Sequence, residues 1–140
     1  MFETVVLALD GSQQSDRAVP VAAALAKQAG GRIVVAHVDE RTVAKGDMPP
    51  VHPDEAELKE KVTGQAEALS ADGVETTIET TSVILGGPAP AIAEIARAAG
   101  ADVIVVGSHG NSALAGILLG SVAHKLLHIA PCPVLVVPVH

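Results

Sequence analysis

The chain has 140 residues, 49% of them apolar, with one aromatic residue (Phe2), one cysteine and a formal net charge of −7. That length suits one domain able to bury a core, so a single domain over residues 1–140 is expected. The acidic balance repels a phosphate backbone and the scarcity of aromatics leaves no stacking platforms, so no nucleic-acid partner is expected.

The opening run TVVLAL (residues 4–9) is short, β-branched and nearly continuous, as strands buried on both faces of a parallel sheet are. Ala18, Val21, Ala22, Leu25 and Ala26 then fall at helical spacing, with Ser12 as N-cap and Gly30-Gly31 as the stop. Pro20 inside this pattern predicts a kink or a restricted opening turn. RIVVAHV (32–38) is the second strand, and residues 39–52 form the longest irregular stretch, either a lid over a site or, the preferred reading, a simple loop. Leu58, Val62, Ala66 and Leu69 make a second helical stripe, entered through Pro53 and ended by Asp72-Gly73. VETTIETTSVI (74–84) alternates, which predicts a strand with a wetter face near a sheet edge. GGPAPAI (86–92) reads as a strand-to-helix turn with proline at the helix start, leading into the stripe Ile92, Ile95, Ala96 and Ala99, closed by Gly100. DVIVV (102–106), a helix over 121–129 and PVLVVPV (133–139) complete the chain.

Strands alternating with helices indicate an α/β fold with a mainly parallel sheet. The start has no basic n-region and no cleavage site, and no apolar run reaches membrane-spanning length. A lone Cys132 excludes an intramolecular disulfide and a thiolate-rich metal site. A cytoplasmic protein with no membrane partner is expected.

Four glycines lie within residues 107–122, directly after DVIVV. The lysine-bearing phosphate loop is excluded because no Gly-Lys pair occurs, and the dinucleotide fingerprint because DGSQQS follows the first strand. What remains is Gly107-x2-Gly110-x9-Gly120-Ser121. Glycines let consecutive N–H groups turn toward an anion, and the start of the last helix favours negative charge. Ser121 adds a hydroxyl. Turns and a helix cap explain the same glycines, and spacing alone does not separate the readings. Position does more. In strand order 3-2-1-4-5 the winding reverses between strands one and four, where such sheets bind ligands. Asp10 and Gly107 then face each other across the crevice, the acid suiting ribose hydroxyls or a phosphate-bound metal.

These residues resemble the universal stress protein family, in its nucleotide-binding branch. Gly107, Gly110, Gly120 and Ser121 match that branch's G-x2-G-x9-G-[ST] without gap or substitution. VVLALDGSQQSDRAV resembles the family's first strand and helix, and GSVAHKLLHIAPCPVLVVP its last helix and strand. The resemblance implies an open, doubly wound, five-stranded parallel sheet of order 3-2-1-4-5 with helices on both faces. This is a Rossmann-like architecture of the adenine nucleotide alpha hydrolase type. It implies ATP or a related adenine nucleotide, with Mg2+, between strands one and four. By position Ala8 and Asp10 lie near the ribose, Val38 meets adenine through its backbone, and Val106 and Gly107 flank the ribose. Gly110, Gly120, Ser121 and Val122 hold phosphates. Between Gly110 and Gly120 the segment NSALAGILL has no basic residue, which departs from many members and implies modest phosphate affinity or reliance on Mg2+.

The resemblance also implies a homodimer through the last strand, bounded by Val134 and Val139, whose apolar edge invites pairing. The expected function is a nucleotide-liganded regulatory or protective module in stress response. The alternatives are a slow ATP hydrolase in the same pocket, for which no general base is evident, and a dimerising scaffold with an empty pocket. His109 is either a phosphate contact or a solvated loop residue. His124 and His128 have metal-compatible spacing but no evident third ligand, so they are read as surface or interface packing and no metal site is assigned. His37 is read as a core or crevice histidine, and Cys132 as packing.

Overall fold

A computed structural model describes residues 2–10, 13–40, 55–83, 87–108 and 120–138. In chain order the elements are β1 (Thr4–Ala8), α1 (Gln13–Asp16), α2 (Ala18–Ala29), β2 (Arg32–Glu40) and α3 (Glu55–Ala71). There follow β3 (Glu75–Val83), α4 (Ala89–Ala99), β4 (Val103–Gly107), α5 (Ser121–Ile129) and β5 (Val134–Val137). The strands form one five-stranded sheet of order β3-β2-β1-β4-β5, and every pairing is parallel. The expected doubly wound α/β architecture is the one observed.

Alternation along the central strands divides the core in two. Val5, Leu7, Ile33, Val35, Val103 and Val105 face α2 and α3. Val6, Ala8, Val34, Ala36, Ile104 and Val106 face α4 and α5. The helices meet the sheet largely through alanines, Ala18, Ala22 and Ala26 on α2 and Ala89, Ala93 and Ala96 on α4. Small side chains at the contact bring helix axes close to the sheet, which fills the core without aromatic bulk.

Helix α2 ends at Gly30 (φ 63°) and α4 at Gly100 (φ 66°), both left-handed caps as the sequence predicts. The first helix differs from its expected form. It is split at Arg17 into α1 and α2, and Ser12 lies outside the described residues. Pro20 is the third residue of α2 and has no N–H to donate back to Asp16, so the turn is interrupted there. Strand β2 runs two residues beyond Val38, because β3 continues the ladder through Asp39↔Ser82 and Glu40↔Val83.

Strand β5 is as apolar as the central strands, yet none of its residues is fully buried and Leu135 is 39% exposed. Among the described residues it has only β4 beside it. The edge position expected for β3 holds, although Ile78 is left 37% exposed.

Candidate functional site

Because all strands are parallel, the C-terminal ends of β1, β2 and β4 lie along one rim of the sheet. The register pairs Leu7 with Val35 on one side and Val105 on the other. Carried three residues further, it brings Asp10 level with Val38 and Ser108. The winding reverses at this point, with β2 on one side of β1 and β4 on the other.

Four of the nine sequence-predicted residues share one face of the sheet. Ala8 and Val106, 7% and 6% exposed, belong to the α4/α5 core cluster, and half-buried Val38 and Val122 pack against it. Gly107 ends β4 and is buried. Asp10 is half-buried two residues past β1. These residues form an apolar wall with one carboxylate at its rim. Gly110 and His109 lie outside the described residues.

Gly120 is the N-cap of α5, Ser121 its exposed first residue and Val122 its second. The Gly120 amide donates to the Ser108 carbonyl, and the Ser108 amide donates to Val137 at 2.9 Å. The chain thus returns from residues 109–119 directly onto the end of β4. That return places the start of α5 beside the end of β4, and a helix N-terminus favours an anion. Gly120 itself has φ −58° and ψ 154°, a backbone open to any residue. Its side-chain-free surface, rather than a special conformation, distinguishes the position.

The neighbouring pair His37 and Asp39 on β2 adds a feature the sequence did not single out as a pair. His37 is 2% exposed and its Nδ1 lies 3.0 Å from the Leu9 carbonyl oxygen, so the ring stitches β2 to the end of β1. The carbonyl can only accept, which places a proton on Nδ1. Nε2 stands 3.0 Å from Asp39 Oδ1. Among the described residues no hydrogen bond reaches Oδ1, which is buried. Val38 sits between these two residues, so the predicted adenine contact is braced from both sides. The signal in the sequence was the polar pair at i and i+2 inside an apolar strand, VAHVDE.

A shallow groove of 810 Å³ between α2 and α3, lined by Val19, Ala23, Lys27, Ala68 and Asp72 among others, belongs to the opposite face of the sheet. It takes no part in the crevice. No helix of the described residues is long and apolar enough to cross a membrane.

Comparison with known proteins follows the same lines. Residues 1–138 match the profile of the universal stress protein family. The universal stress protein in the QAH/OAS sulfhydrylase 3′ region of Thermus aquaticus is 38% identical, over 98% of this chain and 99% of that one. The solved structure of MJ0577, a universal stress protein of Methanocaldococcus jannaschii, superposes with a TM-score of 0.78 at 27% identity, covering 99% of this chain and 96% of that one. A universal stress protein solved in complex with cAMP has a TM-score of 0.70 at 31% identity, covering 99% of this chain and 98% of that one. Sheet order, the two-sided core and a match along almost the whole length agree, and the chain belongs to the universal stress protein family.

Proposed function

We propose that this chain is one universal stress protein domain that binds ATP or a related adenine nucleotide, with Mg2+, and acts as a regulatory or protective homodimer. The observation that carries the reading is the convergence of Ala8, Val38, Val106 and Val122 on one core cluster beside the N-terminus of α5. The apolar wall suits the flat base, which the backbone around Val38 addresses. Asp10 suits the ribose hydroxyls, with Gly107 alongside. Gly110, Gly120, Ser121 and Val122 hold the phosphates through main-chain amides and one hydroxyl. Each such bond to a charged oxygen contributes about 1.5–3 kcal/mol. Mg2+ rides on the phosphates and offsets the absence of a lysine or arginine between Gly110 and Gly120. The relative solved with cAMP supports an adenine nucleotide as the ligand class.

Mass spectrometry of the chain purified without denaturation should find a co-purified adenine nucleotide. Calorimetry with Mg·ATP should then show at least a ten-fold weaker Kd, about 1.4 kcal/mol, for Gly120→Val. Valine fits the backbone there, so the fold is retained while the side chain crowds the phosphates. Equal affinity would remove the phosphate assignment, and absence of both nucleotide and binding heat would remove the whole reading. Phosphate release above the Gly120→Val level would make the same pocket a slow hydrolase.

A further inference from the structure

Helix α5 carries two imidazoles that nucleotide binding does not use. His124 and His128 stand one turn apart and are both exposed. Their ring centroids are 5.0 Å apart, with ring planes at 63°. Two imidazole nitrogens that share one ion at about 2.0–2.1 Å, with an angle between square-planar and tetrahedral, bring their centroids to roughly 4.5–5.2 Å. The pair already has that spacing.

The helix holds it there. Positions four apart share one face on adjacent turns, and α5 is anchored beneath by Ala123 and Leu126, 1% and 0% exposed. His128 falls in the last turn of the helix, whose carbonyl end favours positive charge.

The geometry points to a bidentate site on α5 for a borderline divalent transition cation of the Cu2+, Ni2+ or Zn2+ class, held by His124 and His128 with water completing the coordination. Among the described residues no cluster of three ligand side chains is assembled, so the protein supplies two donors. Lys125 is the adjacent charge on the helix, and no acid occurs from residue 103 to the C-terminus. Imidazole donation therefore sets the selectivity. Mg2+ and Ca2+ prefer oxygen ligands and are not bound here, which separates this site chemically from the Mg2+ proposed beside the phosphates.

The test titrates Cu2+ and Zn2+ separately into the full chain by calorimetry, with electron paramagnetic resonance of the Cu2+ form. One ion per chain is expected, Cu2+ tighter than Zn2+, with two nitrogen donors in the spectrum. His124→Asn and His128→Asn should each weaken binding by roughly 100-fold, because the linked second imidazole acts at high effective concentration. Both side chains are exposed, so the urea midpoints of the variants should match the parent. Absence of binding, unchanged affinity in the double variant, or loss in one single variant alone would overturn the site. The chain is freed of co-purified nucleotide before the titration, so no phosphate competes for the ion and the outcome is independent of the nucleotide reading.

Discussion

At the residue scale, two glycines of the chain predict opposite outcomes for the same substitution. A Cβ on Gly31 would lie 2.1 Å from the carbonyl oxygen of Glu3 and 2.7 Å from its Cα. These are backbone atoms, and the next residue's amide bonds to the same carbonyl at 2.8 Å, so neither strand can give way alone. Gly31→Ala should lower stability by about 1–3 kcal/mol, seen as a lower urea midpoint. Gly64 lies inside α3 with nothing within 4 Å of its would-be Cβ. Gly64→Ala should therefore raise the midpoint, by up to about 1 kcal/mol of helix propensity. Equal effects at the two positions would contradict the contact at Glu3. The sequence showed both glycines but not this difference, because the neighbour of Gly31 is 28 residues away in the chain.

Cys132 belongs to the same scale. Burial pushes its thiol up, and the charge of Asp102 pushes it further. Less thiolate is present at a given pH, so alkylation by iodoacetamide should reach its half-maximal rate above the ordinary thiol value of about 8.5. A midpoint below that value would mean the thiol is neither desolvated nor near the carboxylate. The packing role read from the Pro-Cys-Pro context is consistent with its place against the α4/α5 cluster.

At the scale of elements, the boundaries that rest on local chemistry were legible. Gly30 and Gly100 end their helices where the pattern placed them, and Pro88 and Pro90 stand at the start of α4. The boundaries that depend on a neighbour were not. The reach of β2 to Glu40 is decided by pairing with β3, and the half-exposed state of β5 by its having one partner strand among the described residues. That edge carries the dimer proposal. The carbonyls of Pro133 and Val137 accept from Ile104 of β4 and from Ser108 just past its end. In a parallel ladder the residues between them alternate, so Val134 and Val136 turn their amides and carbonyls outward. Val136→Pro removes an outward donor without breaking the β4 ladder. By analytical ultracentrifugation the parent should sediment as a dimer and this variant as a monomer with an unchanged circular dichroism spectrum. A parent that stays monomeric at every concentration would remove the dimer.

At the scale of the whole molecule, the sheet order gathers the ends of separate segments along one rim of the sheet. Ala8, Val38, Val106 and Val122 come from four elements; the parallel register with its side-chain alternation brings the three strand residues to the α4/α5 face, where Val122 of α5 packs against the same cluster. Asp102 contributes to that register by accepting the Glu3 and Thr4 amides at 3.0 and 2.9 Å, which fixes the start of β1 against β4. Lys61 and Gln65 of α3 reach Asp16 of α1 at 2.9 and 2.8 Å, fastening the opposite layer. The α5 N-terminus is closed onto β4 through Ser108, a residue that spacing did not mark.

The sequence by itself determined the alternation of strands and helices, the residue types at the crevice and the glycine-led start of α5. These follow from local periodicity, backbone preference and capping, which act within a few residues. Only the tertiary structure decided that His37 binds the end of β1, that Asp39 is buried beside it, and that β5 is left half-open. Each of those depends on which segments become neighbours, and a partner distant in the chain leaves no periodic trace in the sequence around a residue.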